Sequence, residues 1–284
     1  MTERPRTFDD DRNLDLRATH LRIAILRTHA AAGHGHLGSS LSLVEILSAL
    51  FATGQFASPT TQQGDRLVLS KGHAALGLYC ALAQAGTIPQ ADLATFGQNG
   101  SALEPHPNET VLPEASVCTG SLGQGLSIGL GLAHGSRLAG RAGEWTVVIT
   151  GDGELNEGQL WEAAIAAPHL KLGNLMVIID ANGLQQDGAM SDIMPVRDVQ
   201  GAWGALGWQV HDVDGHDSRA MLGLFAAIRD VAPDTPKLIV ARTVKGRGVP
   251  FLENATECHY PPPLDGAELR LVEQMLIGET NRDG

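Results

Sequence analysis

Two hydrophobic patterns alternate along the chain. Short apolar runs of strand length recur at Arg66–Ser70, Trp145–Thr150 (WTVVIT), Asn174–Asp180 (NLMVIID), Trp208–Val213 and Lys237–Thr243. Between them lie longer stretches whose apolar residues return at helical spacing. A first helix is predicted over Asn13–Ala32, with Leu16, Ile23, Ile25 and Leu26 on the pattern and Gly33 as its stop. A second is predicted over Leu41–Phe51, with Ser42 as N-cap and Glu45, three residues on, completing a capping box. Further helices are expected from Lys71-Gly72-His73 to about Ala85, over Gly123–Ala139 and Gln159–Ala167, near Val196–Leu206, and over Ser218–Val231. Residues 97–119, with Pro105, Pro107 and Pro113, read as loop. Past Pro261-Pro262-Pro263 a last helix, Gly266–Leu276, is expected to fray at its end.

Strands that are apolar throughout are covered on both faces, and strands separated by helices run parallel. The expected class is therefore α/β, a doubly wound, mainly parallel sheet with helices on both faces. A chain of 284 residues suits one domain of this class, 1–284, with a helical N-terminal segment 1–64 and a tail 261–284.

Composition and charge sharpen this picture. Hydrophobic residues make up 43% but aromatics only 4%, so the interior is expected to be Ala, Val, Leu and Ile. Many of the 34 glycines sit in GxG-type turns, which suits tight strand-to-helix connections. The net charge of −12, without a Lys/Arg run, predicts neither nucleic acid nor an anionic membrane as partner. Cys80, Cys118 and Cys258 are odd in number and form no CxxC, which fits a reduced compartment. The polar start MTERPRTFDDDRN contains no apolar signal core, and Asp9–Asp11 reads as a solvated segment, so a cytoplasmic location is expected.

Candidate chemistry concentrates after two of the strands. GDGELNEGQLWEA begins at Gly151, and DAN occupies Asp180–Asn182. Asp152 and Asn182 each follow the carboxyl end of a predicted strand, where open parallel sheets bind ligands. A carboxylate and an amide oxygen are hard donors suited to Mg²⁺ or Ca²⁺, and Mg²⁺ commonly completes its octahedron with substrate phosphate. Gly151 and Gly153 allow a sharp turn and close backbone approach, and the next helix offers its N-terminal N–H groups to an anion.

GDG followed about 30 residues later by Asn resembles the signature of thiamine-diphosphate enzymes. Further motifs resemble the transketolase family in particular: GHLGSSLSLVEIL at Gly35–Leu47, LSKGHAALGLY at Leu69–Tyr79, EPHP at Glu104–Pro107, TGSLGQGLSIGLGLA at Thr119–Ala133 and TVKGRGVPFLENATECH at Thr243–His259. They cover nearly the whole chain in order. The resemblance implies Asp152, Asn182 and the Leu184 backbone carbonyl as ligands of Mg²⁺, with Ca²⁺ or Mn²⁺ as substitutes. It implies Gly153 at the diphosphate, and Gly120, Ser121 and Leu122 around the cofactor, thiamine diphosphate. His36 and His106 would line the substrate channel, while His73 and His259 would reach cofactor phosphate and substrate. Lys245 lies where it could meet phosphate. Glu157 and Glu162 match acidic positions between two active sites at a dimer interface. His34 belongs to the same GHGH run, but the HLGSS register gives the role to His36. The other histidines, His216 among them, read as structural or surface.

The implied activity is transfer of a two-carbon ketol unit from a ketose to an aldose. Imidazoles suit it, because sugar hydroxyls must lose and regain protons near neutral pH. The family's pyrimidine-binding domain has no counterpart in the chain, so the resemblance implies a split enzyme with a C-terminal partner subunit, in an α2β2 assembly. Pro105, Cys258 and Tyr260 depart from the family's usual residues, and Tyr260 beside His259 is expected to narrow the pocket or change the donor. Two other readings stay open. One is a subunit of another thiamine-diphosphate enzyme, a 2-oxoacid dehydrogenase α subunit or a deoxyxylulose-phosphate synthase-like protein. The other is a non-catalytic, cofactor-binding regulatory subunit.

Overall fold

The apolar runs become parallel strands whose residues alternate between two separate cores. The structure, a computed structural model, describes residues 11–54, 64–186, 188–229 and 231–280. Asp9, Asp10 and the last four positions of the tail, 281–284, lie outside the described residues. Three helices come first: α1 (Asp11–Ala32), α2 (Leu37–Leu41) and α3 (Val44–Ala52). Strand β1 (Arg66–Leu69) and α4 (Ala75–Gln84) follow, then α5 (Gln124–Leu138), β2 (Thr146–Gly151), α6 (Gly158–His169) and β3 (Leu175–Ala181). A small antiparallel hairpin, β4 (Leu184–Gln185) with β5 (Gly188–Ala189), leads into α7 (Met190–Ile193) and α8 (Val199–Ala205). The chain closes with β6 (Gln209–Asp214), α9 (Ser218–Ile228), β7 (Lys237–Arg242) and α10 (Gly266–Thr280).

The main sheet has the order β1-β2-β3-β7-β6, and every pairing in it is parallel. On one face Leu67, Leu69, Val147, Ile149, Met176, Ile178, Ile239 and Ala241 join a core with α1, α3, α4 and α9. On the other, Val68, Val148, Val177, Ile179, Leu238 and Val240 join α5 and α6. Period-two alternation is present, but both faces are apolar, which is why the strands read as continuous runs. Edge strand β6 is only half buried. None of the described helices is long and apolar enough to cross a membrane.

Most boundaries expected from the sequence shift by one to three residues. The C-terminal helix is longer, ending at Thr280, and α9 ends at Ile228. The capping box is corrected. Residues 37–52 form two helices, the second preceded by Leu43 with no side-chain cap. Ser42 Oγ instead donates to Asp180 Oδ2 at 2.7 Å, and Glu45 pairs with Arg22 and His216. Both side chains are taken by partners distant in sequence, which outcompete the local cap.

Helix α5 lies against the sheet through Gly129, where a Cβ would come within 2.3 Å of Val148 Cγ2. At Gly131 a Cβ would meet nothing within 4 Å. Alanine favours a helix interior over glycine by about 1 kcal/mol, whereas overpacking a core costs about 1–3 kcal/mol. Gly131→Ala should therefore raise the thermal midpoint and Gly129→Ala lower it. Thermal denaturation of both variants checks the prediction, and a rise in both would refute the close packing of α5 on β2.

Candidate active site

Four strand ends deliver the candidate residues to one cleft of about 310 Å³. The end of β1 supplies Lys71 and His73, that of β2 Asp152 and Gly153, that of β3 Asn182, and that of β7 Lys245. His36 comes from the turn before α2, His106 and Gly120 from the long loop, Leu184 from β4 and His259 from a 3₁₀ turn. Of the residues expected to bind or react, only Ser121 stands outside the lining, exposed just before α5. Glu157 lies at the rim, and Glu162 is exposed on α6.

The histidines form one group around His36. Its ring centroid is 5.2 Å from His73, 6.0 Å from His106 and 5.0 Å from His259. Tyr260 meets the same ring edge-on at 4.9 Å and is 53% exposed, so it stands at the mouth. His73 Nε2 is 3.1 Å from Ser39 Oγ, and Lys245 Nζ donates to His259 Nδ1 at 3.1 Å. The loop carrying His106 is pinned by Tyr79, whose buried hydroxyl donates to the Glu104 carbonyl at 2.9 Å.

Beneath the cleft sits Asp180, fully buried at the end of β3. It accepts hydrogen bonds from Lys71, Thr243, Ser42 (2.7 Å) and Asn182 Nδ2 (3.0 Å). Burial pushes its carboxyl up, but the Lys71 ammonium and these donors outweigh that and hold it below the usual range. Glu154, also buried, accepts from Ser70 Oγ, from Gly123 N–H at 2.8 Å and from Gly151 N–H at 3.2 Å. One carboxylate thus ties together the ends of β1 and β2 and the start of α5. Burial raises its pKa.

Glycines bring backbone close to the cleft. Gly120 has φ +133°, and a Cβ there would lie 2.9 Å from His106 Cδ2. A Cβ on Gly72 would lie 2.7 Å from Gly120 N, so the β1 turn and the Thr119–Gly120 segment pack backbone to backbone.

The oxygen donors fit a hard cation. Asp152 Oδ1 accepts from Gly153 N–H at 2.9 Å and Oδ2 from Gly183 N–H at 2.7 Å. Asn182 Oδ1 accepts from Leu184 N–H at 3.1 Å. These contacts fix the side chains and leave each oxygen a second lone pair. Burial, reinforced by Asp180, pushes the Asp152 carboxyl up to about 6, and a divalent cation would reverse that shift. Among the described residues no group of three or more His, Cys, Asp and Glu could hold a metal. A cation here would use one carboxylate, one amide and backbone oxygen, with the rest from ligand, which is magnesium chemistry. Lys71, Lys245 and the histidines supply the positive and hydrogen-bonding wall that a diphosphate needs.

Sequence reasoning passed over Lys71, Ser39, Asp180, Glu154 and Gln185. Four of them sit inside motifs already singled out, LSKGHA, GHLGSS, DAN and GDGE, and were overshadowed by more distinctive neighbours. Gln185, which receives Asn156 Nδ2 at 3.0 Å, carried no signal.

Known proteins share this arrangement of chain. Residues 15–281 match the family described as Transketolase, thiamine diphosphate binding domain. The chain is 37% identical over 268 residues to one subunit of the apulose-4-phosphate transketolase of Actinobacillus succinogenes, spanning 93% of this chain and 96% of that one. It is 38% identical over 272 residues to the human Transketolase-like protein 2, covering 94% of this chain but 43% of that protein. A crystal structure of transketolase from Campylobacter jejuni superimposes with a TM-score of 0.83 at 28% identity, over 94% of this chain and 43% of that one. The chain thus spans nearly all of the Actinobacillus relative and less than half of the other two.

The histidine cluster makes a pH prediction. Burial, then His259 and His106, lowers His36 to about 4 from the ordinary 6.5, and burial with Lys71 holds His73 well below it. In the unfolded chain these rings protonate near 6.5, while in the fold they resist protonation. Stability is therefore full above about pH 6.5 and is lost as pH falls toward 4. The thermal midpoint of the ligand-free chain should drop through that window, and His36→Gln should flatten the slope. An unchanged slope would remove His36 from the titration.

Proposed function

This chain belongs to the transketolase family, within its thiamine-diphosphate-binding domain, and from that premise we propose that it is the diphosphate-binding subunit of a two-chain, magnesium-dependent transketolase. The observation that carries this reading is the convergence of His36, His73, His106 and His259 with Lys71, Lys245 and the Asp152–Asn182 pair in one cleft. When bound, thiamine diphosphate supplies the nucleophilic carbon and electron sink that breaking a ketose carbon–carbon bond requires. The chain's own residues bind, orient and handle protons.

Asp152, Asn182 and the Leu184 carbonyl would hold Mg²⁺, whose charge would offset that of a diphosphate. Lys245, His73 and His259 line the cleft where they would donate to its oxygens, and Gly153 would let the backbone approach. Gly120, Ser121 and Leu122 flank the cofactor, with Ser121 reached from the open side. His36 and His106 face the sugar. Lys245, donating to Nδ1 of His259, sets that ring's proton on Nε2, from which it bonds a substrate oxygen. Neutral imidazoles held by burial accept a hydroxyl proton and return it.

The relative of matching length supports a partner requirement. That Actinobacillus protein is itself named as one subunit of a transketolase. The cleft's volume is at the lower end of the ~300–1,000 Å³ usual for small-molecule sites. The pyrimidine-binding surface would come from a C-terminal subunit, in an α2β2 assembly with the exposed Glu157 and Glu162 near the junction between copies. All of 1–284 would act as one domain, in the cytoplasm. The substrates would be a ketose donor and an aldose acceptor, phosphorylated or not.

The test is reconstitution. The chain alone should show no turnover. Copurified with its C-terminal partner it should transfer a two-carbon unit from a ketose phosphate to an aldose phosphate, with thiamine diphosphate and Mg²⁺. Asp152→Ala should abolish Mg²⁺-dependent cofactor binding, read by calorimetry. A complex that decarboxylates pyruvate but ignores ketoses would sink the transketolase reading.

Tyr260 at the mouth makes a second prediction. Tyr260→Gly should widen the range of donor ketoses accepted by the complex, measured as relative kcat/KM across donors of increasing bulk. An identical donor profile would clear Tyr260 of any role in specificity.

A further inference from the structure

Three side chains outside the cleft lining, the buried Arg22 and Glu45 and the half-buried His216, are linked in a row. Arg22 of α1 donates to Glu45 Oε1 of α3 at 2.5 Å. Glu45 Oε2 receives His216 Nδ1 at 2.8 Å, and His216 Nε2 receives the backbone N–H of Val244 at 2.7 Å. Because Nε2 accepts an N–H, the ring proton sits on Nδ1 and donates to Glu45. Glu45 is buried, and its carboxyl is held at about 2: burial opposes ionisation, but Arg22 and His216 outweigh it. Arg22 also donates through Nε to the carbonyl of Arg247 at 3.0 Å.

The row therefore grips the loop after β7 at two points, Val244 and Arg247. Between them stands Lys245, which reaches the cleft and His259. Two positive-φ glycines shape the loop. Gly246 donates to the Gly38 carbonyl at 3.2 Å, and a Cβ on Gly248 would lie 2.4 Å from Arg22 Cδ. The loop is folded onto the row with no slack.

We propose that Arg22, Glu45 and His216 are a brace that aims Lys245 and His259 into the cleft, with His216 the positioning residue that fixes the loop's peptide. The inference rests on the reading of the cleft as a thiamine-diphosphate site. It adds that cofactor affinity depends on a histidine that touches neither cofactor nor substrate.

Two substitutions separate the brace from a merely structural role. Glutamine places an acceptor where Nε2 lies and keeps the bond to Val244. Asparagine places its amide where Nδ1 lies, keeping the bond to Glu45 and losing Val244. The full chain with its C-terminal partner is titrated with thiamine diphosphate at saturating Mg²⁺. In parallel, the imidazole signals of His259, assigned with His259→Gln, are read by NMR on the full chain alone.

His216→Gln should keep the His259 signals and bind cofactor within about 3-fold of the parent, whereas His216→Asn should shift the signals and weaken binding by about 10-fold, the scale of lost outer-sphere support. The reverse order, or both variants matching the parent, would overturn the brace. Equal loss in both, tracking the thermal midpoint, would also overturn it by making His216 a folding residue only. If the parent binds no thiamine diphosphate while the His259 signals behave as expected, the cofactor reading falls and the brace stands.

Discussion

Everything at the cleft depends on one buried carboxylate. Asp180 ends the central strand β3 with no exposed surface, and an isolated charge there would be prohibitively unfavourable. It is tolerated because Lys71 faces it and hydroxyls from Ser42 and Thr243 complete its lone pairs. Those partners come from the turn after β1, the helical segment before α3, and the end of β7. Asn182, two residues on, donates to the same carboxylate and is thereby turned so that its oxygen faces away from it. Satisfying one charge thus fixes four of the segments that build the site. Truncating one member of such a pair strands the other, which typically costs about 3–5 kcal/mol.

The same logic repeats at two further acids. Glu154 binds the N–H groups of Gly123 and Gly151, and Glu45 binds Arg22 and His216. In each case a buried carboxylate gathers donors from segments far apart in the chain. The outcome is a cleft whose walls are preset before any ligand arrives, so that binding energy goes to orientation instead of ordering. The functional surface itself is the opposite in sign. Histidines and lysines crowd one another, and burial with repulsion from neighbouring cations disfavours the charged forms of His36, His73 and Lys245. An anion entering this wall relieves that repulsion, which is the electrostatic reason a diphosphate suits it.

Tyr260 and Cys258 shape the mouth of the cleft. Tyr260 leans on His36 at the mouth, and Cys258 is buried beneath it against Gly38, where a Cβ would lie 2.5 Å from the Cys258 carbonyl oxygen. The contact locks the 3₁₀ turn bearing His259 onto α2. The residues around His259 are therefore packed into the scaffold, and any effect they have on what the cleft admits would act through a rigid rim.

The sequence by itself determined the fold class, the order of strands and helices along the chain, and most of the residues in the cleft. Continuous apolar runs require two covered faces, and GDG, DAN and the histidine motifs each keep their chemistry within a few residues. It misjudged whatever depends on partners far along the chain. Ser42 and Glu45 satisfy a local capping rule, yet Asp180, 138 residues away, and His216, 171 residues away, claim them. Sheet order, which inserts β7 between β3 and β6, and the linkage of Lys245 to His216 were likewise decided only in three dimensions. Hydrophobic period and backbone turns are local and legible, whereas a buried charge chooses its donors from whatever the packed chain brings within about 3 Å.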